Sequence, residues 1–117
     1  MEVNINKLKF CYVVMRVTTN EAVNNVVFQE TLDVLYKLGY VGISNPLYMT
    51  PFKVSKKKFQ NLTESILECC ESVAVVSTNL KTFAVSPEYL MEMEMVKQMD
   101  HKILTVEISL EKGEKSE

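Results

Sequence analysis

The chain is poor in the residues from which many active sites are built. Only three of its 117 residues are glycine: Gly39, Gly42 and Gly113. Neither G-x-G-x-x-G nor G-x-x-x-x-G-K-[ST] occurs, so a glycine-rich phosphate cradle is excluded. A dinucleotide-dependent redox enzyme or a P-loop nucleotidase does not fit such a chain. There is a single histidine, His101, from which a histidine-rich metal site or a Ser-His-Asp triad is hard to assemble. It reads as a polar residue ahead of the last strand. The three cysteines have no metal-site spacing, since Cys69 and Cys70 are adjacent and Cys11 lies alone in an apolar run. They read as buried free thiols, and neither metal nor cofactor is expected. No apolar run approaches the roughly 20 residues that span a bilayer. The opening MEVNINKLKF lacks the apolar stretch of a signal peptide. The expectation is a cytoplasmic protein without a membrane partner. A net charge of −2 and a pI of about 5.5 give no broad basic surface for nucleic acid.

What remains is the composition of one globular domain. At 47% hydrophobic and 24% charged, the chain can bury a single core. Residues 1–110 form that domain, and 111–117 read as a flexible polar tail. Leu8 to Val17 is rich in β-branched and aromatic residues and predicts a first strand. Thr18-Thr19-Asn20 supplies an N-cap signal. From Glu21 the period turns helical, with Val23, Val27, Thr31, Val34, Leu35 and Leu38 on one face, until Gly39 ends the helix. Tyr40 to Ser44 is a second strand closed by Asn45-Pro46. Ser55 opens a helix to about Cys70, with Phe59, Leu62, Ile66 and one of the two adjacent cysteines inward. Val73 to Ser77 is a third strand. Ser86 and Pro87 suit the cap and first position of a helix running to about Met99, and Lys102 to Ile108 is a fourth strand.

Strands alternating with helices imply right-handed crossovers between parallel strands. The expected fold is a three-layer α/β, flavodoxin-like or Rossmann-like parallel sheet of four to five strands, order 2-1-3-4. Ligands of such sheets bind outside the carboxyl ends of the strands, at the point where the strand order reverses. A cleft is expected there, between strands 1 and 3, lined by Met15 to Asn20, Asn45 to Phe52 and Ser77 to Glu92.

Glu92 is the sharpest chemical signal. On a wheel advancing about 100° per residue, Tyr89, Met91, Met93, Met95, Val96 and Met99 fill one apolar arc, and Glu94, Lys97 and Gln98 the opposite side. Glu92 falls inside the apolar arc. A carboxylate there is costly unless paired, hydrogen-bonded or set in a polar cleft, and such positions suit a tuned acid or nucleophile. The plainer alternatives are a rim position that reaches water or a subunit interface. Glu88, one turn earlier, could share acid and base roles with Glu92 or serve as a capping charge. Lys53, Lys56, Lys57 and Lys58 form a basic cluster that suits either a phosphate or a solvated helix start. The methionines of the last helix suit a flexible core or a contact between copies.

The order and spacing of several short motifs resemble those of the nucleoside 2-deoxyribosyltransferase-like proteins, especially small phage and bacterial members. Tyr12-Val13-Val14-Met15-Arg16 matches the family's opening Tyr-Leu-Ala-Gly-Pro strand. Phe28, Leu35 and Gly39 match its first helix, Asn45-Pro46 the end of its second strand, and Cys70-Glu71 followed by VAVVST its third. Ser86 to Glu92 matches Ser-x-Gly-Ala-x-x-Glu. Together these span about residues 8 to 108. The resemblance implies cleavage of an N-glycosidic bond, or deoxyribosyl transfer, on a nucleoside or nucleotide. Glu92 would be the nucleophile and Tyr12 the hydroxyl that orients it. Met15, Asn45, Pro46, Ser77, Ser86 and Glu88 would surround the substrate. Independently of the resemblance, the methionine-rich last helix gives the expectation of a homodimer or higher homo-oligomer. The chain departs from the pattern where Met15 and Glu88 replace small residues and Tyr89 replaces alanine. Glu88 would repel a phosphate beside it. The departures suit a different substrate, or a closed site in which the same fold binds a nucleotide or a protein as a regulatory module. Ser77-Thr78-Asn79 with Ser86 to Glu92 is also similar to the corresponding part of TIR domains, some of which cleave NAD while others assemble with partners.

Overall fold

Alternating or continuous β-branched runs become strands here, and each segment of helical period becomes a helix. The computed structural model describes residues 9–16, 20–44, 55–79 and 87–110. In chain order these form β1 (Lys9–Val14), α1 (Glu21–Lys37), β2 (Tyr40–Ile43), α2 (Lys56–Glu68), β3 (Ser72–Thr78), α3 (Pro87–Gln98) and β4 (Lys102–Ile108). All pairings are parallel, in the order β2-β1-β3-β4. β1 sets Tyr12 opposite Ile43 on one side and opposite Val73 on the other. β3 runs beside β4 from Ser72 opposite Lys102 to Thr78 opposite Ile108.

The chain steps from β1 to β2 in one direction and then back across β1 to β3 and β4. Right-handed crossovers therefore put α1 on one face and α2 with α3 on the other, giving the three-layer α/β fold. The core divides accordingly. Cys11, Val13, Ala74, Val76, Val106 and Ile108 pack with Val27 and Leu35 of α1. Tyr12, Val14 and Val73 pack with Leu67, Cys70, Met95 and Val96 on the opposite face. The period of two along a strand makes this division: in β1 the odd positions face α1 and the even positions face α2 and α3.

Local signals fix the ends. Asn20 caps α1 by accepting from the amides of Ala22 (3.0 Å) and Val23 (3.2 Å). Ser55 caps α2 through the amide of Lys58 (3.2 Å). Gly39 follows the α1 cap at φ +92°, a conformation that favours glycine. After β4 the chain is held to the end of β3 by one side chain: Asn79 donates to the Leu110 carbonyl and accepts from its amide, both at 2.8 Å.

Several expectations are corrected. β1 is shorter than Leu8 to Val17 at its carboxyl end, stopping at Val14. Leu38 is the C-cap of α1 and 59% exposed, so it does not join the inward face. In α2 the fully buried side chains are Thr63 and Leu67, while Leu62 and Ile66 are half-buried. Of the adjacent cysteines Cys70 is buried and Cys69 exposed, and all three cysteines are free. His101 directly precedes β4, as expected, and bonds through Nε2 to the Leu67 carbonyl at 2.7 Å. Residues 111–117, read as a tail, lie outside the described residues. Among the described residues no helix is long and apolar enough to cross a membrane.

Candidate functional site

Tyr12 lies in a strand with neighbours on both sides, so its ring must stand away from the sheet, into the layer below α2 and α3. It is fully buried. Glu92, on the inner face of α3, is also fully buried, which rules out the rim position that reaches water. The Tyr12 hydroxyl donates to Glu92 Oε2 across 80 residues of sequence. Thr63, fully buried on α2, is in side-chain hydrogen-bonding contact with Tyr12. Three elements thus converge on one phenol. A tyrosine hydroxyl has one proton to give and lone pairs to accept with. Here the proton goes to the carboxylate and the oxygen remains available to Thr63.

This arrangement is an electrostatic commitment. Burial holds the Tyr12 phenol well above the ordinary tyrosine pKa. The negative charge of Glu92 and the hydrogen bond to it push further the same way. Tyr12 is therefore a donor and not a base. A buried carboxylate with no donor would be strongly destabilising, and the neutral phenol supplies one. The two buried cysteines are not activated either: burial pushes the Cys70 thiol up to about 12 and also raises that of Cys11.

Above this pair, at the carboxyl ends of β1 and β3, is a cleft of about 200 Å³. Its lining includes Met15, Arg16, Val75, Ser77, Thr78 and Tyr89. The Arg16 guanidinium lies over the Tyr89 ring, 5.4 Å from its centroid. The cleft is at the reversal of strand order, as expected of such a sheet.

The sequence-derived site residues divide as follows. Met15 and Ser77 line the cleft. Tyr12 and Glu92 are bonded to each other beneath it, and Glu92 is not part of its wall, a correction to the expected lining. Glu88 is half-buried in the first turn of α3 and does not line the cleft. Asn45, Pro46 and Ser86 lie outside the described residues. Sequence reasoning missed Thr63; Arg16 falls within the stretch Met15 to Asn20 expected to line the cleft, but was not singled out. Arg16 had a usable signal, since it continues the alternation of Tyr12 and Val14. Among the described residues no group of three or more His, Cys, Asp or Glu side chains could hold a metal ion. No protein-family model, curated protein or solved structure matches the chain.

Proposed function

We propose that this protein cleaves or transfers at the N-glycosidic bond of a nucleoside or nucleotide, with Glu92 as nucleophile and Tyr12 as the residue that orients it. The observation that carries this reading is the bond from the Tyr12 hydroxyl to the buried Glu92 carboxylate beneath the cleft. A carboxylate kept in an apolar layer at a cost to stability, and held in one orientation by a neutral donor, suits nucleophilic attack on a sugar. In the reaction a Glu92 oxygen bonds to C1′ as the C1′–N bond breaks, and its electron pair leaves with the base. The departing base takes a proton from solvent. Water then attacks C1′ of the glycosyl ester, releasing sugar and restoring the carboxylate. Attack by a second base completes transfer instead. The free cysteines fit a reducing, cytoplasmic location.

One observation favours a second reading. Glu92 is 0% exposed, which suits a module that binds a nucleotide in the cleft without turning it over.

The test is incubation with 2′-deoxynucleosides, their 5′-monophosphates and NAD, with free base measured by chromatography. The enzymatic reading expects base release by the wild type, loss of release in Glu92→Ala, and a glycosyl adduct on the peptide containing Glu92. Equal release by wild type and Glu92→Ala refutes the assignment. Binding without release by the wild type favours the second reading.

A further inference from the structure

α2 buries Phe59, Thr63 and Leu67, which recur every fourth residue along one row of the helix. The middle one carries a hydroxyl where valine would fill nearly the same space. A buried hydroxyl is costly unless hydrogen-bonded. In α1 the fully buried Thr31 is satisfied locally, giving its proton to the Val27 carbonyl of its own helix at 2.7 Å. Thr63 has a partner beyond its own helix: the Tyr12 phenol on β1, which is bonded in turn to Glu92 on α3. Three fully buried side chains from three elements thus form one hydrogen-bonded chain.

Valence sets the direction of this chain. The one Tyr12 proton goes to Glu92 Oε2, so in its bond with Thr63 the phenolic oxygen accepts and Thr63 donates. Electrostatics agree. The Thr63 bond favours an ionised phenol while the bond to Glu92 opposes one, and only donation to the phenolic oxygen favours its charge. We propose that Thr63 is a positioning residue for Glu92: by donating to the Tyr12 oxygen it commits the Tyr12 proton to the carboxylate and holds Glu92 in its charged form. Successive hydrogen bonds polarise one another, so a donor behind the phenol strengthens the bond that the phenol gives. A protonated Glu92 no longer needs that bond, and the benefit therefore belongs to the carboxylate alone. Thr63 can make other bonds at the same time, since a hydroxyl oxygen also has lone pairs with which to accept. The other titratable group that acts on Tyr12 is Cys70, which burial keeps neutral at pH 7. The effect on the charge of Glu92 stands by itself; its effect on turnover rests on the reading of Glu92 as nucleophile.

The experiment is an NMR titration of the side-chain carboxyl carbons of labelled glutamate, with the Glu92 signal assigned by its loss in Glu92→Gln. Wild type, Thr63→Val, Thr63→Ala and Thr63→Ser are compared, each shown by circular dichroism to be folded. Thr63→Val should raise the midpoint of Glu92 protonation by about 0.5 pH unit, roughly a threefold change in the equilibrium. Thr63→Ala should move it the same way, so the comparison survives if the valine variant does not fold. Thr63→Ser, which keeps the hydroxyl, should restore the wild-type midpoint. In a Tyr12→Phe background Thr63→Val should leave Glu92 unmoved, because the path runs through the phenol. An unchanged midpoint in Thr63→Val and Thr63→Ala overturns the proposal. So does a rise that Thr63→Ser shares, or one of equal size without the phenol. Base release from deoxynucleosides and their monophosphates, followed against pH, then separates the two readings. If Glu92 is the nucleophile, the acidic limb of kcat should move up in Thr63→Val by the same amount as the NMR midpoint. If the midpoints follow the proposal but no substrate releases base, the role of Thr63 stands and the catalytic reading of Glu92 fails.

Discussion

Tyr12→Phe removes one oxygen atom and leaves the Glu92 carboxylate buried without that donor. Hydrogen bonds to charged groups contribute about 1.5–3 kcal/mol, and the loss is largest when the remaining partner cannot reach water. Thr63 loses its phenolic partner in the same substitution. The expected destabilisation is about 2–3 kcal/mol, a fall of about 1–1.5 M in urea midpoint at the slope of about 2 kcal/mol per M of a small domain. Glu92→Met removes the charge and keeps the volume, so its effect should be small or stabilising, as when a buried ionic group gives way to a hydrophobic one. Tyr12→Phe combined with Glu92→Met should regain most of the loss, because apolar groups then replace both partners. Urea unfolding of the wild type, both single variants and the double variant at pH 7, followed by circular dichroism, measures the coupling. It should be about 2 kcal/mol, within the range for residues in direct contact. Additive single effects, with coupling below about 0.5 kcal/mol, would refute the claim that the Tyr12 hydroxyl stabilises the buried Glu92 carboxylate. A Glu92→Met variant that is more stable than wild type but inactive would show stability set aside for chemistry.

The cysteines give a prediction in pH. Cys70 has a folded pKa of about 12 against 9.0 for a free thiol, so its neutral form favours the folded state. That contribution is whole below pH 9 and is lost as the pH rises from there through about 12; alkaline titration of urea stability should show the fall, and Cys70→Ala should reduce it. At pH 8 a thiol reagent should modify exposed Cys69 quickly and reach buried Cys11 and Cys70 only on unfolding. Gly42→Ala would set a Cβ 2.6 Å from Leu32 Cδ2 and 3.0 Å from Leu35 Cδ1. Leu35 is fully buried, so thermal melts should show a loss of about 1–3 kcal/mol from overpacking.

The fold was legible because each local signal agreed with the next. The β-branched runs, the caps Asn20 and Ser55 and the stop at Gly39 leave few ways to connect four parallel strands. Glu92 was legible from α3 alone, since a carboxylate within an apolar arc stands out whatever it touches. The partnership with Tyr12 was not legible in that way. It joins residues 80 positions apart, and an aromatic in a strand reads as core until its hydroxyl is located. The resemblance to a family named the pair; residue patterns did not. Thr63 was missed because a threonine between Phe59 and Leu67 adds little to a hydrophobic stripe, which also drew the expected inward face toward Leu62 and Ile66. Arg16 was expected in the cleft wall only as part of Met15 to Asn20, and was not singled out because a cation at the end of a strand is ordinarily solvated. Its contact is with Tyr89, a residue that can be matched to it only in three dimensions.

The clasp between Asn79 and Leu110 has a mechanical consequence. The Asn79 amide imitates a further residue of strand, gripping a backbone 31 positions away at both its donor and its acceptor. Asn79 directly follows Thr78 and Ser77, which form part of the cleft wall. Tension or a steric load applied to the chain beyond Leu110 is therefore delivered to the mouth of the cleft, not dissipated at the far edge of the sheet. A domain, tag or surface attached there holds the molecule by a handle geared to the cleft, and Asn79→Ala disengages the gear.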